Sequence, residues 1–240
     1  MAPRSGKSPP KPTSDERVLS ELEPDGVAMS GSWQKRKSAQ TRTAILEAAI
    51  DCLSETGYSN TTTQLIAKRA QISRGAMLHH YATKQELVAS LIDYVIFRRI
   101  QLFIEGIATI SEEARISRQV GIELYWQSLL TREFAAYLEL RLAARTDKEL
   151  RAILLPRARK YDRVERDTVL GSFPEWAEHP AEYKLAMDYC IASMEGLLLN
   201  KDIWNDRTRR QQLRDFISAT LLLLRDGKIQ MPAARSNPDA

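Results

Sequence analysis

Cysteine is nearly absent: Cys52 and Cys190 are the only two in 240 residues. They lie far apart inside apolar helical patterns, where small buried thiols are common, so no disulfide is expected. Histidine is almost as scarce. His79 and His80 are adjacent and diverge by about 100° on a helix, and His179 stands alone before Pro180, so no metal-ligand set and no cofactor is expected. Gly-rich phosphate loops, a nucleophile elbow, a His-Glu-x-x-His pattern and paired Cys motifs are all missing, which argues against an enzyme. No apolar run approaches the length that spans a bilayer, and the N-terminus lacks an apolar signal core. A cytoplasmic protein without a membrane partner is expected. Strand signals are sparse, with little period-two alternation and few β-branched runs bounded by glycine.

What is present is helical. Hydrophobic residues make up 43% of the chain, enough for one or two small domains with real cores, so an all-α protein is expected. The net charge of +4 is compatible with nucleic-acid binding but too mild to establish it, because affinity depends on where charges lie.

The most informative stretch is TTTQLIAKRAQISRGAMLHHYATK, residues 61–84. Thr62 is a helix-capping residue, and Leu65, Ile66, Ala67 and Ala70 give the following segment an apolar side. Gln71-Ile72-Ser73 interrupts it, and Ser73 can cap a second short helix from Arg74 to Tyr81. Met77 and Tyr81 of that helix point to the core, leaving Arg74, Gly75, Ala76, His79 and His80 outward. Two short helices joined by so tight a turn form a helix-turn-helix. The B-form major groove admits one α-helix, and small residues at its leading end let the backbone approach base edges. Thr61 and Thr62, at the start of the first helix, and Lys84, just past the second, are placed to hold phosphates. Upstream, a helix from Ala39 to Thr56 carries an apolar stripe of Ile45, Ala48, Ala49, Cys52 and Leu53, and Gly57 stops it. Arg42 near its start could reach a phosphate or pair on the surface.

Residues 41–92, from TRTAILEAAI to ELVASLI, resemble the TetR family of bacterial transcriptional regulators. The Gly57-Tyr58 turn, Thr61-Thr62, Ile66-Ala67, Ser73, Gly75, His80-Tyr81 and Lys84 all follow the family's order and spacing. The resemblance implies an N-terminal three-helix DNA-binding domain followed by a C-terminal helical domain that binds ligand and dimerises. It also implies that the helix beginning near Lys84 transmits ligand-induced movement. Two positions depart from the pattern. Gln71 stands where the family usually has Gly, so either Gln bears a left-handed backbone there or the turn differs. Leu78 stands where members often carry a phosphate-touching Tyr, which leaves more of the grip to His79, His80 and Lys84.

The expected organisation is a disordered basic arm over residues 1–38, a DNA-binding domain over 39–84, an effector-binding and dimerisation domain over 85–228 and a disordered tail over 229–240. The arm is rich in Pro, Ser, Lys and Gly, and its basic cluster Gln34-Lys35-Arg36-Lys37 could enter a minor groove or remain a solvated tail. Past residue 107 helices are predicted over 117–130, 132–145, 147–170, 181–204 and 206–226, with Pro156 kinking the third. The last two carry more apolar surface than one partner helix covers, including Phe216, Leu221, Leu222 and Leu223. A homodimer through these two helices is therefore expected.

Trp126, Phe134, Tyr137, Leu138, Leu154, Tyr161 and Met187 could line an apolar ligand pocket, although ordinary core packing explains each one singly. Arg141 shares a face with Tyr137 and Leu138, and needs either a protein carboxylate or an anionic ligand group as partner. These readings converge on a ligand-responsive regulator, most often a repressor in the resembling family. It would bind a palindromic duplex as a homodimer and be released by a small apolar effector, acidic if an anion meets Arg141. A helical protein-interaction adaptor is the competing reading. It accounts for the apolar C-terminal faces but not for the pattern from Ser73 to Lys84.

Overall fold

A computed structural model describes residues 14–28, 32–111 and 120–229. Its described residues form ten α-helices and one 3-10 turn, so the chain is all-α. In chain order the first five helices are α1 (Ser14–Leu22), α2 (Trp33–Thr56), α3 (Thr63–Arg69), α4 (Arg74–His80) and α5 (Lys84–Ala108). They are followed by α6 (Val120–Leu129), α7 (Arg132–Ala143), α8 (Lys148–Ser172), α9 (Pro180–Leu199) and α10 (Arg207–Arg225). The 3-10 turn, Pro174–Trp176, joins α8 to α9.

Local chemistry sets most of these boundaries. Thr62, Ser73, Thr83, Thr131 and Asp147 each accept a hydrogen bond from a backbone amide in the first turn of the helix that follows. At Thr83 the bond is reciprocated by Glu86, completing a capping box. Gly57 ends α2 at φ 76°, and its amide returns to the Leu53 carbonyl. The α9 helix stops at Leu199, five residues short of the expected Trp204. Asn200 donates its side-chain amide to the Gly196 carbonyl at 2.8 Å and so competes with helix continuation. Pro156 lies inside a helix that continues to Ser172.

The helix-turn-helix bend resolves the question raised by Gln71. Gln71 holds a left-handed backbone at φ 56°, the only such non-glycine among the described residues. An L side chain is strained there, so Gln71→Gly is expected to raise unfolding free energy by about 0.5–1 kcal/mol, read from urea midpoints. A loss of stability would mean that the Gln71 side chain contributes more than its backbone strain removes.

Two apolar cores hold the molecule together. One runs from Leu46, Ile50 and Leu53 of α2 through Ile92 and Ile100 of α5 to Leu140 and Leu154, so it crosses the expected domain boundary at residues 84 and 85 without a break. The other joins Trp126, Leu129 and Phe134 to Cys190, Met194 and Ile217.

The expectation of a disordered arm is corrected where the structure describes it. Ser14–Leu22 is a helix packed against α5 and α8, with Leu22 and Val27 buried and Glu21 paired to Lys160 at 3.6 Å. Four apolar side chains, Val18, Leu19, Leu22 and Val27, are too few to register as a periodic pattern. They suffice once a groove between two other helices receives them. The basic cluster Lys35-Arg36-Lys37 lies in the first turns of α2, not in an extended arm. Residues 1–13 and 29–31 of the expected arm, the expected helix start near residue 117, and residues 230–240 of the expected tail lie outside the described residues. No helix among the described residues is long and apolar enough to cross a membrane.

Candidate DNA-reading face and helical cavity

α4 is anchored by one side and presents the other. Met77 is 2% exposed and Tyr81 is buried, whereas Arg74, Gly75, Leu78 and His79 face solvent. Ala76 and His80 are half-buried. Ser73 Oγ accepts the Ala76 amide at 3.1 Å, so its hydroxyl hydrogen stays available to a phosphate. Thr62 is in the same situation, accepting from Leu65 at 3.1 Å. Lys84 is exposed, with its ammonium 5.3 Å from the centre of the Tyr58 ring. Burial, and next the charges of His79 and Arg42, hold the His80 imidazole below its ordinary pKa, so near neutral pH it is an uncharged donor or acceptor.

Two expected DNA contacts are engaged elsewhere. Thr61 donates its hydroxyl to the Gly57 carbonyl at 2.8 Å and so braces the turn. Arg42 lies over the Tyr81 ring at 4.6 Å and against Gly26, so its guanidinium ties the segment after α1 to the end of α4. Leu78, at the position where the resemblance has a phosphate-touching Tyr, faces outward and is 52% exposed.

The body contains two abutting cavities. The outer one, about 120 Å³, has walls that include Phe103, Tyr125, Phe173, Trp176, Tyr183 and Met187. The inner one, about 30 Å³, is bordered by Arg99, Tyr161 and Glu165, and shares Phe103, Tyr125, Val169 and Met187 with the first. Of the eight residues expected to line a pocket, Tyr161 and Met187 do so here. Tyr137 and Leu154 belong to the first core and Phe134 to the second, on which Leu138 packs. Trp126 is buried in the second core, borders an open polar cleft between α6 and α10, and is covered by the Arg214 guanidinium at 4.9 Å. Arg141 pairs with Glu195 at 2.7 and 2.9 Å, so the protein supplies the carboxylate its position demanded. The expected set selected bulky residues, and bulk is what a close-packed core takes first.

Arg99 was missed although the same test identifies it. It shares a helix face with Ile92, Ile96 and Phe103, a cation on an apolar stripe. Its guanidinium is 6% exposed and lies 4.9–5.0 Å from the Phe134, Tyr137 and Tyr161 rings, with Glu165 at 3.9 Å.

An outward helix after a capped left-handed turn, carried on a helical body with an internal cavity, is the arrangement of a helix-turn-helix DNA-binding protein. Residues 45–91 match the family described as "Bacterial regulatory proteins, tetR family". An HTH-type transcriptional regulator of Mycobacterium tuberculosis is 28% identical over 147 residues, which cover 59% of this chain and 75% of that one. The fold is similar to that of a transcriptional regulator of Pseudomonas aeruginosa PAO1, with TM-score 0.59, 21% identity, and coverage of 82% of this chain and 93% of that one. It is also similar to the multidrug binding protein EbrR complexed with imidazole, with TM-score 0.53, 20% identity, and coverage of 81% and 93%. Residues 45–91 thus carry the DNA-binding segment of TetR-family transcriptional regulators, and the helical fold around it is similar to theirs.

Proposed function

We propose that a homodimer of this protein occupies a palindromic operator, represses transcription, and is released when a small, mostly apolar molecule enters the cavity pair. The observation that carries this reading is the exposed face of α4 with Met77 and Tyr81 locked beneath it, a helix held outward by its own core. One such helix covers few base pairs. Two copies related by a two-fold axis would read half-sites roughly 34 Å apart. The last two helices supply a surface for that pairing: Leu199 is 57%, Phe216 65% and Leu223 41% exposed, apolar area that water should not keep.

The route from cavity to DNA is built of rigid parts. α5 begins with exposed Lys84 beside the reading face and reaches Phe103 in the cavity wall. Arg132 on α7 pairs with Glu47 and Asp51 of α2, and Glu139 accepts the Tyr58 amide at 3.3 Å. A ligand that shifts α5 against α7 would therefore carry the reading helix with it, and must favour that shifted state by several kcal/mol to empty the operator. EbrR, as a small-molecule-binding protein of the same fold, supports a ligand in this body.

Selection of bound duplexes from a random pool tests the proposal. A recovered palindrome supports it; sequences without two-fold symmetry, or none at all, overturn it. On the recovered duplex, Lys84→Ala should weaken binding alike for matched and mismatched sequences and flatten the salt slope by about one counterion per subunit.

A further inference from the structure

The inner cavity holds a cation whose hydrogen bonds are incomplete. Arg99 is 6% exposed, and among the described residues its Nε has no hydrogen-bond partner. Its carboxylate neighbour among the described residues, Glu165, stands at 3.9 Å, beyond a good hydrogen bond, and accepts instead from Tyr161 Oη at 2.8 Å. Three aromatic rings, those of Phe134, Tyr137 and Tyr161, lie 4.9–5.0 Å from the guanidinium. A buried donor left unmade is costly, and Arg99 borders a void that continues toward the larger, aromatic-walled cavity.

We infer that the ligand of this cavity pair is an uncharged, apolar molecule bearing a hydrogen-bond acceptor such as a ketone or ester carbonyl, its body against Phe103, Phe173 and Trp176 and its oxygen on Arg99. This rests on the proposed reading of the cavity as the effector site. The preference for an uncharged group follows from charge balance. Arg99 and Glu165 already neutralise one another within a buried volume. Burial pushes the Glu165 carboxyl up, and Arg99 holds it down. A ligand carboxylate would place a second anion beside it and force Glu165 to take up a proton, whereas a carbonyl completes Arg99 without altering the count. The cation that the sequence singled out, Arg141, is satisfied by Glu195 and is not needed for recognition.

The test uses the full chain and three probes with one naphthalene body: 2-acetylnaphthalene, 2-ethylnaphthalene and 2-naphthoate, titrated by calorimetry. The ketone should bind about tenfold more tightly than the hydrocarbon, the effect of one hydrogen bond to a charged donor, and more tightly than the acid. In the double variant Arg99→Met, Glu165→Gln, which leaves no orphaned charge, that advantage should vanish while 2-ethylnaphthalene binds as before. Equal affinity for ketone and hydrocarbon overturns the acceptor assignment and leaves the cavity reading standing. Tightest binding of 2-naphthoate overturns the preference for an uncharged ligand. Failure of all three to bind overturns the cavity reading together with this one. The wild-type series decides these outcomes by itself if the double variant does not fold.

Discussion

Replacing Arg74 with Glu is expected to lower operator affinity at least about hundredfold while the unfolding midpoint stays within error of the parent. Arg74 is the first residue of α4, exposed, and makes no ion pair among the described residues. A dimer presents it twice. A side chain reading a base edge contributes about 1–3 kcal/mol per contact, so two lost contacts already give a hundredfold, and two introduced carboxylates add repulsion from the phosphates. The fold should not suffer, since an acidic side chain at a helix N-terminus is favourable to the helix dipole. Fluorescence anisotropy on the selected duplex and urea unfolding of the same preparation read both halves. Affinity within about threefold of the parent would remove Arg74 from the reading face.

Phe134→Ala should have the opposite profile, with loss of about 3–5 kcal/mol of stability, the usual consequence of emptying a fully buried aromatic site. Phe134 has no exposed surface and lies in the core that joins α6 and α7 to α9 and α10. Its ring is also one of the three around Arg99, 5.0 Å from the guanidinium, so its removal would let water reach a buried cation. Chemical unfolding at fixed protein concentration measures the loss, because dimerisation would make the midpoint concentration-dependent. A change below about 1 kcal/mol would show that Phe134 lines a ligand space and is not structural core.

These two residues mark how far sequence reasoning extends. The reading face was legible because capping and turn chemistry are local. Thr62, Ser73 and Gly57 act on backbone groups within four residues, and the burial of Met77 with exposure of Arg74 follows from helical period. The cavity was not legible, because it is bounded by five helices whose relative placement no local rule contains. Phe173 and Trp176, which help to wall it, sit at the end of α8 and in the 3-10 turn after it, where no periodicity marks them. The strap over residues 14–28 was obscured for a related reason: its few apolar residues have meaning only against a groove formed from α5 and α8.

By itself the sequence determined that the chain is helical, where the two short helices begin, and which side of the second faces outward. All of these are set by interactions within one turn or one helical period. Only the tertiary structure decided which of these two arginines is satisfied and which is not, since the half-exposed Arg141 meets a carboxylate on α9 whereas the buried Arg99 meets aromatic rings and a carboxylate just out of reach. Both lie on apolar faces of their own helices. What separates them is the chemistry that distant helices bring against each face, and that depends on how the whole core closes.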